Sequence, residues 1–543
     1  MSISNPYFFG IVLFSVICYY WIAKTVNRRA RFPPGPKRLP LIGSLLNTLP
    51  ERIGLRAPNP NPTPIYQQFL KLGKECNSDI IHIDVLGDHT VVLNSAKAVT
   101  ELLDHRGLNY SGRPAMPMLD DLMGWGWDFG HMGYSDRWRR HRKTFTHHFQ
   151  PQAIREYHSF QRKSVTDLLN KLLTTPEPDV FELKGWIQHY ASSVILRATY
   201  GIASPKDKEY YVELAQRAVT PILHAGIHGT YLVDYFPLLK YVPSWFPGAG
   251  FKRKAKVWAQ YSHDLREKPW ETVQSEMNEG TALPCFVTRN LGSIDLEAPA
   301  SDLKQEIEVI KNCAGVAYIA GSDTSISLIR CVIVALLIHP EVQERAQAEL
   351  DSVLGTESNA RLPNYSDRED LPYLNAIISE TLRFYPITPL AVPHQSLEDD
   401  VYEGYHIPKG STILGNCWAI LHDEQVYPDP MTYDPSRFMK SKGATSEEEI
   451  PPQPDAALYG FGFGRRICPG RWLALDTTWL IIACILATCT IKKPLDSNGK
   501  EIVPVIEYED GLVVHLKPYK CRFVPRSEEA VKLMKDGFLE EEE

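Results

Sequence analysis

The segment Phe461-Gly462-Phe463-Gly464-Arg465-Arg466-Ile467-Cys468-Pro469-Gly470 holds the residues best suited to chemistry. A metal-ligating thiolate needs the backbone looped closely around its sulfur, and Gly462 and Gly464 permit such a loop. It also needs amide N–H groups aimed at the sulfur, which lower its pKa and tune the bound metal. Pro469 suits a first helical turn, and the apolar run RWLALDTTWLIIACILA (471–487) continues as a helix. The positive end of that helix then falls beside Cys468. The other nine cysteines are scattered singly, with no C-x-x-C pair, so neither a zinc ribbon nor a disulfide framework is encoded. A buried cysteine in a glycine turn describes those nine well. It describes Cys468 poorly, because the pattern F-x-x-G-x-R-x-C-x-G fixes five positions.

Three further patterns carry charge or hydroxyls at helical spacing. Glu380 and Arg383, in LPYLNAIISETLRFYP, share a helix face at i, i+3. Alone, such a pair is most often a solvated salt bridge worth little. Asp434-Pro435-Ser436-Arg437-Phe438 adds another arginine shortly before the cysteine loop. Ala320-Gly321-Ser322-Asp323-Thr324-Ser325 puts an acid and three hydroxyls in the middle of an apolar helical stretch, where they lower helix propensity. Back-bonding by Ser and Thr, or Gly321 by itself, would make this a simple kink. Trp138 and Arg142 lie four apart, and both are able to donate to an anion; a solvated basic face gives the same spacing.

The Phe461–Gly470 segment resembles the haem-binding loop of the cytochrome P-450 haem-thiolate monooxygenases, and the resemblance runs from the proline hinge to Gly511-Leu512-Val513. It implies haem b (iron protoporphyrin IX) with Cys468 as the axial iron ligand, Phe461 and Phe463 packed near it, and Arg466 on a haem propionate. It implies Trp138, Arg142 and His394 as further propionate partners. Glu380, Arg383 and Arg437 become a buried structural network behind the haem. Ala320–Ser325 matches the oxygen-activation motif A-G-x-[DE]-T-[TS] at every position. There Gly321 lets the helix pass close over a flat cofactor, and Asp323 with Thr324 orients water and relays protons. A thiolate ligand favours cleavage of the O–O bond. One oxygen atom then enters a substrate C–H bond and the other leaves as water.

No strand–GxGxxG–helix unit is present, so electrons from NADPH must come through a separate flavoprotein, the NADPH–cytochrome P-450 reductase. Arg139, Arg140 and Lys143, exposed on the thiolate side, would receive this acidic partner. Met116 to Phe129 packs Met123, Trp125 and Trp127 into a loop, and Ile387, Leu390 and Val392 follow the Glu–Arg helix. Both stretches suit the wall of an apolar substrate site, and equally plain core packing. LLKYVPSWFPGAG (238–250) suits a membrane-dipping entrance. The style is that of fungal microsomal members acting on lipophilic secondary metabolites such as terpenoids, polyketides or indoles. The rivals are a reductase-independent haem-thiolate isomerase or dehydratase, whose members usually lack the acid–threonine pair, and a non-catalytic haem sensor.

The elements that must position these groups are mostly helical: Glu156–Leu173, Asp302–Leu337 and Pro340–Leu354 carry long helical patterns. Short strands occur at 80–87 and 90–95, reading as a hairpin, and near 390–415 and 501–516. The expected fold is mainly α with a minor β-sheet, one large haem domain at 65–525 with no second domain. Residues 1–23 carry no charge and 17 successive apolar positions from Tyr7, followed by six cations before position 39, which reads as a transmembrane anchor with the body cytosolic on the endoplasmic reticulum. Residues 24–64 form a basic, proline-rich hinge, with Pro33-Pro34-Gly35-Pro36 as a stiff spacer. An acidic tail, 526–543, is expected to be solvated and disordered. At 543 residues and net charge −7, with most of that charge in the tail, the body is close to neutral, which argues against nucleic-acid binding.

Overall fold

A computed structural model describes residues 31–39, 43–44, 63–356, 359–442, 449–509 and 511–538. The anchor expected at 1–23 and most of the hinge lie outside the described residues. The chain divides into two compact units, one up to Pro114 with Pro393–Asn416, the other Ala115–Val392 with Cys417 onward. The two parts of the first unit, far apart in the chain, meet through strand pairing and through Arg106 and Tyr110 on Asp400.

The first unit holds helix α1 (Ile65–Glu75) and a four-stranded sheet of β1 (Ile80–Val85), β2 (Asp88–Leu93), β3 (His394–Gln395) and β4 (Thr412–Gly415). Their order is β1-β2-β4-β3; β2 and β4 run parallel, and the other neighbours run antiparallel. The two-residue turn joining β1 and β2 needs φ > 0 at both central positions, and Leu86 (54°) and Gly87 (93°) supply it. The proline hinge lies along this sheet: the His82 N–H donates to the Pro34 carbonyl at 2.8 Å.

The second unit is helical. Its principal elements are α2 (Asp136–Phe149), α3 (His158–Thr174), α4 (Val180–Tyr200), α5 (Pro205–Ala225), α6 (Gly250–Glu279), α7 (Ala300–Ile338), α8 (Pro340–Leu354), α9 (Pro372–Phe384) and α10 (Arg471–Thr488). Strands β5 (Cys489–Lys492), β6 (Tyr508–Glu509), β7 (His515–Leu516) and β8 (Arg522–Pro525) pair as β5–β8 and β6–β7, and helix α11 (Glu528–Asp536) closes the chain. A capping box of Asp179 and Glu182 starts α4, and Gly201 at φ 76° ends it. Helices α7 and α10 are long and apolar enough to cross a membrane, but 78% and 67% of their most apolar stretches are buried within the protein, which makes them core helices.

The tail corrects the sequence reading. Ser527 caps α11 by accepting the Ala530 N–H, and Ala530 and Met534, one turn apart, are buried. Met534 reaches Cys489, with its Sδ 3.7 Å from Sγ. The clustered acids masked an amphipathic helix whose apolar face is carried by Ala530 and Met534.

Candidate active site

Helix α10 starts directly after Cys468, and the loop before it closes on itself. The Cys468 N–H donates to the Phe461 carbonyl at 2.8 Å, with Gly462 at φ 83° and Gly464 at φ 51° allowing the turn. Gly462 at that φ takes a left-handed conformation that a side chain would strain. Phe463 is buried and Phe461 half-buried beside the loop. The N–H groups of Gly470 and Arg471 donate to the Cys468 sulfur, and Arg142 and Arg471 lower its pKa further, but burial outweighs them and pushes the thiol above its ordinary value. This reverses the expected direction.

Helix α2 brings the propionate candidates to the same place. Ser135 caps it by accepting the Trp138 N–H at 3.2 Å. Arg466 stacks over the Trp138 indole and donates to the Met132 carbonyl. Arg142, on the same helix, is lowered to about 10 by burial while Cys468 opposes that shift, which puts its charge near the sulfur. Trp138, Arg142 and Arg466 thus converge around Cys468, with Arg471, which sequence reading overlooked although it opens α10. One sulfur ligand and three donors for carboxylates are the donor set an iron porphyrin with two propionates requires. His394 sits in the first unit, buried on β3, where its Nδ1–H donates to the Tyr110 carbonyl at 2.7 Å.

Behind the loop, Glu380 and Arg383 on α9 form a bidentate pair at 2.7 and 2.8 Å, both fully buried. Arg383 also donates to the Leu421, Pro430 and Thr432 carbonyls, and Glu380 accepts the Asp434 N–H. Arg437 adds its charge 3.5 Å from Glu380 and donates to the Asp429 and Thr432 carbonyls. Burial still raises the Glu380 pKa, with Arg383 offsetting part of the shift. The three residues clamp the chain between Leu421 and Asp434.

On α7, the Thr324 hydroxyl donates to the Ala320 carbonyl at 3.0 Å, and Asp323 faces His515. A Cβ on Gly321 would lie 3.0 Å from Ile195 on α4, so the missing side chain lets the two helices approach. Met123 and Trp125 are buried. Trp127 is engaged in packing: its indole N–H donates to Ser262 on α6, and its ring lies where a Cβ on Gly315 of α7 would fall. After α9, Ala391 adopts φ 53°, a left-handed conformation unusual for alanine and without a sequence signal; Ile387 is buried, and Leu390 and Val392 flanking Ala391 are half-buried.

The cytochrome P450 family model matches residues 33–523, which includes every residue of this site. The chain is a cytochrome P450. Among curated relatives, this P450 is 37% identical to a cytochrome P450 monooxygenase of Armillaria gallica, over 97% of this chain and 98% of the relative. It is also 37% identical to the tryptamine 4-monooxygenase of Psilocybe cyanescens, over 95% and 97% of the two chains. A solved structure of a zebra fish cytochrome P450 with abiraterone shares the fold at TM-score 0.67 and 23% identity, covering 86% of this chain and 100% of that one. The P450 is therefore a haem-dependent monooxygenase of the fungal type. Haem, when bound, supplies oxygen activation.

Proposed function

We propose that this P450 is a membrane-anchored hydroxylase of a lipophilic small molecule in fungal secondary metabolism, fed with NADPH electrons by a separate NADPH–cytochrome P450 reductase. In this reading Cys468 holds the haem iron. Trp138, Arg142 and Arg466 bind the propionates, and Asp323 with Thr324 delivers protons. Glu380, Arg383 and Arg437 keep the cysteine loop in place. Met123, Trp125, Ile387, Leu390 and Val392 line the substrate, while Trp127 acts through packing. The relatives support the pathway, since they include the tryptamine 4-monooxygenase and monooxygenases from Hericium erinaceus and Ampulloclitocybe clavipes.

The observation that carries the lipophilic and membrane reading is the chain from 232 to 246. Leu232, Leu238, Tyr241 and Trp245 there are 64–79% exposed, an apolar concentration that water alone does not favour. Together with the apolar segment 1–23 it gives two contacts with an endoplasmic reticulum membrane. Arg139, Arg140 and Lys143 remain exposed on α2 and suit an acidic electron donor.

The test uses microsomes that co-express the full chain with a fungal reductase, incubated with terpenoid, polyketide and indole intermediates and read by mass spectrometry. A product 16 mass units heavier that requires NADPH supports the reading. Turnover without NADPH or reductase, from a peroxide substrate alone, would overturn it.

A further inference from the structure

We propose that His515 is the positioning residue for Asp323. The inference rests on the reading of Asp323 and Thr324 as the proton-delivering pair. Asp323 Oδ2 lies 3.2 Å from His515 Nε2, and the two side chains are only 21% and 13% exposed, so the contact is sheltered from solvent. It is the one hydrogen bond of the Asp323 carboxylate among the described residues.

The place of the imidazole is fixed independently of that contact. His515 opens β7, and the chain on either side of it is fastened to the face of α7 that carries Asp323. Ser327, one turn beyond Asp323, donates to the Val514 carbonyl at 2.5 Å. Arg330, on the next turn, donates to the Lys517 carbonyl, and its own carbonyl accepts from Tyr519. The Val514 N–H donates to Ile387 at 2.9 Å, which ties the strand to the segment after α9 as well. A strand held at Ser327, Arg330 and Ile387 presents the ring at a set distance from the helix, and the ring then limits the carboxylate to one rotamer. Preorganisation of this kind lowers the cost of proton delivery at the neighbouring Thr324. Nearby charges are otherwise paired or across the hairpin: Lys517 with Glu507, and Glu509 opposite His515.

The test compares the full-length wild type with His515→Leu, His515→Gln, Asp323→Asn, Thr324→Ala and the His515→Leu/Asp323→Asn double variant, each reconstituted with reductase. The share of NADPH electrons recovered as hydrogen peroxide is measured without added substrate. His515→Leu is expected to raise that share at least twofold with the carbon-monoxide spectrum intact. Glutamine, which keeps an N–H donor, restores most of the wild-type value. The double variant equals Asp323→Asn alone. In a separate measurement on histidine-labelled protein, the ring N–H resonance assigned to His515 is expected to shift or vanish in Asp323→Asn. A wild-type peroxide share in His515→Leu while Asp323→Asn leaks peroxide, additive effects in the double variant, or a ring resonance indifferent to residue 323 would overturn the proposal. Unchanged coupling in both Asp323→Asn and Thr324→Ala would instead remove the proton-delivery reading beneath it.

Discussion

The guanidinium carbon of Arg466 lies 4.2 Å from the centre of the Trp138 indole ring. The contact joins the cysteine loop to helix α2, so the two segments that carry the proposed propionate donors hold each other in place. Stacking needs the flat arginine head, and lysine keeps only the charge. Arg466→Lys should therefore release haem to apomyoglobin about tenfold faster than wild type, the equivalent of about 1.4 kcal/mol. An unchanged transfer rate would show that the stack does not hold the cofactor.

The Glu380–Arg383 pair is fully buried, so removing one partner leaves an uncompensated charge. Glu380→Gln should cost about 3–5 kcal/mol, a large part of a domain's stability. Urea unfolding followed by far-UV circular dichroism is expected to move to much lower urea. A Glu380→Leu/Arg383→Leu double variant should unfold at higher urea than the Glu380→Gln single variant. The opposite order would mean that the ion pair stabilises by itself.

Acid should weaken this protein from mildly acidic pH downward. Burial, with Arg383 nearby, lowers His422 from 6.5 to about 4, and burial with Arg38 and His89 lowers His82 to about 2. Both rings are neutral when folded, while the unfolded chain binds protons below about pH 6.5. Their contribution is complete above that value and is lost as pH falls through the window between the two states. Around pH 5, His422 alone contributes a slope of about 1.4 kcal/mol per pH unit. Urea titrations between pH 6.5 and 4.5 should show that slope reduced in His422→Gln, and an identical slope would contradict the assignment.

The terminal helix is also testable. Met534 is fully buried against Cys489, so Met534→Ala should cost about 2–5 kcal/mol. Deleting residues 539–543 should leave the melting temperature within measurement error. Equal melting temperatures for both proteins would mean that α11 does not contribute to the core.

Much of this was legible in the chain because it rests on local spacing. The cysteine loop, the Glu380–Arg383 turn and the Trp138–Arg142 turn are each set by residues a few positions apart, and the expected helix Pro340–Leu354 is the one observed. What was not legible depends on partners distant in sequence. Nothing beside Gly321 in sequence names Ile195 as the side chain packed opposite it. His515 is a single histidine in a short strand, with nothing nearby to name Asp323 as its partner. Ala391 has no residue-type signal at all for a positive φ. The net pKa of Cys468 also escaped, because amide donors can be inferred from a motif while burial is a property of the whole fold.

Sulfur ligation by Cys468 is the claim on which the rest depends. The decisive measurement is the spectrum of the reduced carbon-monoxide adduct of the full-length protein, compared with Cys468→Ser. Wild type should show the red-shifted Soret band of thiolate ligation, and the serine variant should lack it. A wild-type adduct without that band, or a serine variant that retains it, would contradict the account.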